Sequence, residues 1–545
     1  MSHLFRRILS FIGDRIAPNI RQSLDDRQPI IWLLAVIVGM VVGYGVLGFR
    51  MAIGVVQHLW LGHPGEEVVA SLAAGRPWWL ILMAPTLGGL AVGLFIKHAL
   101  PKRRAEGVAD VIEAKAIGGA KIDVMHGLGS ALVSAVSLGS GASAGREGPA
   151  VHLGATLASA IERHFNLPPA ARRTLLGCGV AAAVSASFNA PIAGILFALE
   201  VVLAHYATRA FIPIVIASIG ATLVTRNHLG DFPAFGVPQY EITSYWEFPA
   251  FALLGITCGV VAICFQFAAM TADGVARRVP CKLWLRPVVG GFMIGVIGVF
   301  LPEVLGVGYE ATNAALTQKF TLVMLLALLV AKTAATAITL ASRFGGGVFS
   351  PSLYLGAMTG GAFGIIAASV FPEYASSIGL YAIVGMGAVS AAILGAPIST
   401  ALIVFELTLD YEVVIAVLPA ISLASGMMQA VHGQSFFHWQ LSQRGLFLHE
   451  GPHQHIVRRI RVSDFLAPLS ADEEQAPPEV GEDIPLLTPD DTLQTALRAF
   501  DSGSYTRIPV VDGADTSRVL GWASYTAALA TYNRALVDAN VEEHR

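Results

Sequence analysis

Charge is what this chain has least of. Asp, Glu, Lys and Arg make up 13% of its 545 residues, about half the share of an ordinary soluble protein, too few to cover a water-facing surface. Between Phe344 and Phe405 the sole charged residue is Glu373, and from Asn227 to Gly274 there is no Lys or Arg. A basic excess is also missing: Lys+Arg 35 against Asp+Glu 38 leaves a net charge of −3, so no nucleic-acid partner is expected. Cysteine is scarce, and Cys178, Cys258, Cys264 and Cys281 lie in or beside apolar segments without metal-ligand spacing. They read as buried thiols, with neither a disulfide framework nor a metal site. These absences argue against a soluble enzyme and a secreted disulfide scaffold, and no cofactor is expected. What is present is apolar: hydrophobic residues reach 54% and mean hydropathy +0.63. The expected class is an all-α polytopic membrane protein.

Ile30 to Ile53 is long and apolar enough to span a bilayer. A second span, Trp78 to Leu100, ends in Lys102-Arg103-Arg104, a cationic cluster that marks the cytoplasmic side. Further spans are expected near Val124–Leu138, Ala150–Ile161, Thr174–Leu203, Ala210–Val224, Phe248–Met270 and Pro287–Leu301. The C-terminal half adds Phe320–Leu340, Pro351–Val370, Ile378–Leu407 and Val413–Val431. Several are short and broken by Gly and Pro, the pattern of helices that stop inside a membrane.

Residues 1–28 carry Arg6, Arg7, Arg15, Arg21 and Arg27 among apolar residues and are expected to form a cytoplasmic amphipathic helix rather than a signal peptide. The membrane domain should run over 29–447 in two repeats, about 30–226 and 247–440, followed by a linker over 448–483. A small α/β unit over 484–545 shows helical periodicity at Leu493, Ala496, Leu497 and Phe500, then strand-like runs at Ile508–Val511 and Val519–Trp522. Both termini are expected in the cytoplasm, making this a multi-pass integral protein of the inner or plasma membrane. His449-Glu450-Gly451-Pro452-His453 has the spacing of a zinc-protease motif, but Gly-Pro breaks the helix that motif requires.

The two halves repeat. Gly145-Arg146-Glu147-Gly148-Pro149 with Leu153-Gly154-Ala155 recurs about 202 residues later as Gly347-Val348-Phe349-Ser350-Pro351 with Leu355-Gly356-Ala357. Ala190-Pro191-Ile192 with Glu200 is echoed by Ala396-Pro397-Ile398 with Glu406, and Gly177-x-Gly179 by Gly385-x-Gly387. Internal duplication in a membrane chain points to a transporter-type fold whose site lies where the repeats meet.

Pro149 and Pro351 suit the first turn of a helix, and the glycines before them allow close backbone approach. The free N–H groups of such starts favour negative charge. Two starts aimed at one place would hold an anion by partial charges alone, strongly enough to admit it and weakly enough to release it. Glu147 lies inside the first loop, and an intramembrane carboxylate is functional by default. It reads either as a gate whose charge takes the anion's place, or as a structural ion pair with Arg146.

At these residues the sequence resembles the CLC family of chloride channels and proton/chloride exchangers, over about Ile30 to Gly445. The resemblance implies an inverted-repeat fold with discontinuous helices, and a homodimer with one pore per subunit for chloride and other small anions. Gly145, Arg146, Glu147 and Gly148 match the gating-glutamate motif, with His152 in its usual position. Gly347, Val348 and Phe349 match the second helix start, where the amides of Val348 and Phe349 would contact the ion. Ser187-Phe188-Asn189-Ala190-Pro191 through Glu200 resembles the segment leading to the dimer interface, and the tail resembles a CBS module. Of that module one repeat, about Ile484 to Leu536, is clear, and Arg461 to Pro468 resembles the start of another.

Three departures bear on mechanism. The family's central serine is replaced by Glu106, either a loop carboxylate paired with Arg103 or Arg104, or an inner-vestibule acid that carries a proton or repels anions. The family's anion-contacting tyrosine aligns with Phe437, and the exchangers' internal glutamate with Val201, beside a structural Glu200. These changes point to an uncoupled channel gated by Glu147. Proton-coupled exchange through Glu147 and Glu106 is the alternative, and a membrane sensor using the tail is an alternative of another class. Ser524-Tyr525-Thr526 lacks the acid that contacts a ribose in such modules, so no nucleotide is expected there.

Overall fold

A computed structural model describes residues 27–117, 119–231, 235–236, 242–447, 457, 460–469, 484–503, 505–513, 515 and 518–544. The expected amphipathic helix, apart from its last two residues, and the histidines from 449 to 455 lie outside them. The chain divides into two compact units, Met1–Gln440 and Leu441–Arg545.

Among its described residues the regular structure of the first unit is helical. Its first half comprises α1 (Gln28–Leu61), α2 (Val69–Ala74), α3 (Trp78–Ala99), α4 (Val108–Ala116), α5 (Val124–Gly139), α6 (Glu147–Glu162), α7 (Pro169–Phe188), α8 (Pro191–Phe197) and α9 (Thr208–Leu229). The second half comprises α10 (Phe248–Arg278), α11 (Arg286–Phe300), α12 (Tyr309–Leu316), α13 (Leu322–Ala341), α14 (Phe349–Val370), α15 (Ile378–Leu394), α16 (Pro397–Thr408), α17 (Tyr411–His432) and α18 (Phe436–Ser442). Among the described residues eight helices are long and apolar enough to cross a membrane. Large apolar side chains such as Leu59, Met51 and Leu33 stand exposed on them, as expected of a surface whose solvent is lipid.

Two expected spans are each broken. Thr174–Leu203 becomes α7, α8 and a π-helical turn over Ala198–Leu203, because Asn189 turns left-handed (φ 57°) and Pro191 opens a new helix. Ile378–Leu407 breaks the same way at Gly395 (φ 68°) before Pro397. A residue preceding proline is driven out of the helical region, so each Ala-Pro step forces the interruption.

The repeat is visible in the packing, with one correction to its alignment. A side chain at Gly154 would fall 2.3 Å from the Gly179 carbonyl oxygen, and one at Gly356 would fall 2.3 Å from that of Gly385. The partner of Gly179 in the second half is therefore Gly385, not Gly387. These contacts bring α6 against α7, and α14 against α15, closer than any side chain would permit.

The second unit holds β1 (Leu466–Pro468), α19 (Leu493–Gly503), β2 (Arg507–Val511), β3 (Val519–Ser524) and α20 (Tyr525–His544). The sheet has the order β1-β3-β2 with antiparallel pairing throughout. Leu493, Ala496 and Phe500 pack from α19 onto Ile508, Val510 and Ala523. The Arg461–Pro468 segment does not begin a separate module. Leu466 pairs with Ala523 across the sheet, and Val462 and Phe465 are buried in the same core.

Candidate anion pathway where the two repeats meet

Gly145 and Gly347, equivalent positions of the two repeats, face each other in an antiparallel bridge. Each donates its N–H to the other's carbonyl at 2.7 Å. The bridge ties together the loops that open into α6 and α14, so both helix starts converge. Gly148 completes the closure: a side chain there would meet the Gly347 Cα at 3.1 Å and the Val108 Cγ2 at 4.0 Å.

Glu147 sits at this convergence and is fully buried. The Tyr309 hydroxyl donates to its Oε1 at 2.8 Å. Arg146 Nε lies 3.8 Å from the same oxygen. Oε2 has no hydrogen-bond partner among the described residues. A side chain at Gly145 would meet this Oε2 at 2.8 Å and the Ser350 amide nitrogen at 2.9 Å. Gly145 thus leaves room between the carboxylate and the first turn of α14, whose amides lack carbonyl partners within the helix.

Val348 forms the N-cap of α14 and Phe349 its first turn. The buried Phe349 ring packs against Phe188 (4.9 Å between centroids) and Phe197 (5.7 Å). These rings are apolar neighbours of the helix starts and leave the backbone amides as the polar groups. The Arg146 side chain is used differently. Its guanidinium pairs with buried Glu66 and lies over the Tyr309 ring, 4.8 Å from the centroid. Arg146 and Tyr309 line a cavity of about 390 Å³, shared with Arg50, Glu66, Asn189 and Asn313.

Glu106 lies in the loop before α4. Lys102 Nζ is 2.7 Å from its Oε1, and His152 Nε2, on α6, is 3.3 Å from its Oε2. Arg104 is taken instead by Asp110, with Nη1 2.9 Å from Oδ2. Burial opposes ionisation of Glu106, but the hydrogen bonds with His152 and Lys102 outweigh it and hold its pKa down at about 2. Phe437 belongs to another aromatic group, meeting Phe436 nearly edge-on at 6.4 Å. Val201 is buried in the π-helical turn.

The glutamates beside the Ala-Pro-Ile repeats cross over. Glu200 accepts from the amides of Ile398 (3.0 Å) and Ser399 (2.8 Å), while Glu406 accepts from those of Ile192 (2.9 Å) and Ala193 (2.7 Å). Each repeat's acid caps the other repeat's short helix, satisfying donors that the helix start leaves open.

A profile of the voltage gated chloride channel family matches residues 88–429. A ClcB-like chloride channel protein of Ralstonia nicotianae is 33% identical over 391 residues, 71% of this chain and 91% of that protein. This chain belongs to the CLC family. The ClC-type chloride channel ClcB of Escherichia coli is 30% identical over 419 residues, 75% of this chain and 98% of its own length. Among solved structures, a slow cyanobacterial Cl−/H+ antiporter superposes with a TM-score of 0.67 over 76% of this chain and 97% of the other, at 21% identity. The likeness to that structure bears on fold alone.

Tyr309 and Glu66 went unnoticed in the sequence, although a signal for Tyr309 existed. It stands about 202 residues after Gly107, the residue that opens α4, so the repeat offset leads to the start of α12.

Proposed function

We propose that this CLC protein passes chloride and other small anions across the membrane as a homodimer with one pathway per subunit, gated by Glu147 and not coupled to protons. The observation that carries the reading is the buried carboxylate at two converging helix starts, one oxygen held by Tyr309 and the other left without a partner. A carboxylate there takes the seat of an anion and competes with it. No covalent bond is made or broken, so the protein is not an enzyme. The homodimer follows from family resemblance. The basic clusters Lys102-Arg103-Arg104 and Arg277-Arg278 support an inner-membrane orientation with both termini in the cytoplasm. The CBS-like tail then acts as a structural element without nucleotide.

Two features support the uncoupled mode. Val201 cannot carry a proton, and a Glu106 held at about 2 stays ionised at physiological pH. A second reading, exchange of chloride for protons, is favoured by the Glu106–His152 contact on the same helix as Glu147. There, a proton would ride on Glu106 only while that contact is broken.

Purified protein in liposomes under a chloride gradient separates the two. The channel reading expects chloride efflux that needs an ionophore for charge balance, with no uphill proton uptake, and Glu147→Gln should raise that efflux. Proton uptake against its gradient, abolished by Glu106→Ala, would replace the channel with the exchanger. Unchanged efflux in Glu147→Gln would remove the gate.

A further inference from the structure

Lys332 is a fully buried charged residue that the pathway described above leaves unused. It sits in the middle of α13. Its Nζ donates to the carbonyls of Val304 and Gly306, both at 3.0 Å, and lies 5.0 Å from the Tyr354 ring centroid. A lone ammonium in an apolar interior is costly unless its donors are satisfied, so the two carbonyls and the ring face are its compensation. In return the ammonium fixes the turn that supplies them.

That turn leads directly to the gate. Gly306 (φ +63°) and Gly308 (φ +95°) take left-handed conformations that allow the chain to fold around the ammonium. A side chain at Gly308 would meet the Tyr354 ring at 2.7 Å and Lys332 Nζ at 3.2 Å. The Gly306 amide is also tied to the Gly141 carbonyl at 3.2 Å. The residue after Gly308 is Tyr309, whose hydroxyl reaches Glu147 Oε1 at 2.8 Å. Beneath the Arg146 guanidinium and beside the Phe235 ring at 5.0 Å, the Tyr309 ring has little freedom to leave.

We propose that Tyr309 is a latch that holds Glu147 in its closed position, and that Lys332 is the positioning residue that sets the latch by clamping the Val304–Gly308 turn. The proposal rests on the reading of Glu147 as a gate. A hydrogen bond to a charged acceptor is among the stronger ones, and its loss shifts an equilibrium by about tenfold or more. The shift favours the open gate, because the hydroxyl binds the closed carboxylate.

The experiment is chloride efflux from liposomes containing the full chain, with four variants and their combinations. Tyr309→Phe should raise efflux by about tenfold where the closed state dominates, and should add nothing in a Glu147→Gln background. Lys332→Met should raise efflux in the same direction, and its effect should not add to that of Tyr309→Phe. Where Lys332→Met fails to assemble, Lys332→Arg, too long for the two carbonyls, is read in its place.

Efflux raised by Glu147→Gln but unmoved by Tyr309→Phe would overturn the latch and leave the gate standing. Efflux lowered equally by Tyr309→Phe in both backgrounds would make Tyr309 a structural support and overturn the latch too. Full additivity of the Lys332 and Tyr309 variants would overturn the positioning role. No response to Glu147→Gln itself would remove the gate and the latch with it.

Discussion

Glu106→Gln should strengthen chloride binding and lower the chloride concentration at which flux half-saturates. The substitution removes one negative charge and keeps the shape, since the amide oxygen can still accept from Lys102 or His152. The segment carrying Glu106 borders the pathway, because Val108, two residues on, packs toward Gly148 at the helix start. An anion 4 Å from a carboxylate is repelled by about 4 kcal/mol at an effective dielectric of about 20, and by about 1 kcal/mol in bulk water. The Glu106 side chain is 9% exposed, which favours the larger figure, whereas its partner Lys102 is 54% exposed and its surrounding water screens the charge. A working value of about 2 kcal/mol between these limits corresponds to roughly 30-fold in half-saturating chloride. The assay is isotopic chloride uptake into liposomes over a range of chloride concentrations, with calorimetric chloride titration of the purified protein beside it. Glu106→Ala should move both readouts in the same direction, because the effect belongs to the charge. Unchanged half-saturation in both variants would refute the reasoning and return Glu106 to a loop carboxylate with structural partners.

The pH dependence of that difference has a definite sign. A folded-state value of about 2 lies below the ordinary glutamate value of about 4.3, so the charge and the stability it lends are present above about pH 4.3 and lost as pH falls through about 2. The gap between wild type and Glu106→Gln should therefore stay constant from about pH 8 to pH 5, and a gap that narrows above pH 5 would contradict it. The crossed caps predict that Glu200→Ala and Glu406→Ala each lower stability by about 1–2 kcal/mol. Thermal unfolding in detergent checks this, and a neutral result at either site would show that the two caps are not equivalent. Gly385→Ala would bring a methyl 2.4 Å from the Gly356 carbonyl oxygen and should cost about 1–3 kcal/mol. Gly426→Ala, with open space around it, should be neutral in the same melts.

Much of the fold was legible because the bilayer imposes one rule on every span. Long apolar runs such as Ile30–Ile53 and Trp78–Leu100 coincide with α1 and α3, and the recurring Gly-x-x-x-Pro marked the two converging starts. Hydropathy could not find α4 or α12, which have nine and eight residues and carry acids among their apolar positions. Apolar continuity also hid the breaks at Asn189 and Gly395, where the cause is local backbone geometry.

The site divides along a similar line. Glu147 was legible because a carboxylate in an apolar stretch is conspicuous, and Gly145 and Gly347 because their spacing repeats. Tyr309 was not, since a tyrosine at a helix start is unremarkable until a fold brings it to an acid 162 positions away. Lys332 offered a signal of the same strength as Glu147, a lone charge within an apolar span, but it lies outside any repeated motif. The partners of Glu106 were not legible either. Sequence proximity favoured Arg103 or Arg104, whereas folding gives Arg104 to Asp110, and Glu106 to Lys102 and to His152 on another helix.

The repeat explains why the two converging helix starts differ in chemistry. Duplication supplies matched scaffolding: one glycine bridge with a residue from each repeat, paired helix contacts and paired acid caps. At the two converging helix starts, the copies diverge. Arg146-Glu147 in one repeat stands opposite Val348-Phe349 in the other, so one helix start brings an acid and the other an aromatic ring. Two acids there would repel each other by about 4 kcal/mol at 4 Å and an effective dielectric of about 20. The starts of α4 and α12 diverge in the same way, Glu106 preceding one and Tyr309 opening the other. Both reach α6, Tyr309 at Glu147 and Glu106 at His152, five residues further along, which is about 7.5 Å of helix rise. A single helix is thereby held at one end by a neutral hydroxyl on an acid and near its middle by an acid on an imidazole. Removing the hydroxyl and removing the inner acid should act on different quantities, the first on how often the gate is open and the second on how tightly chloride is held.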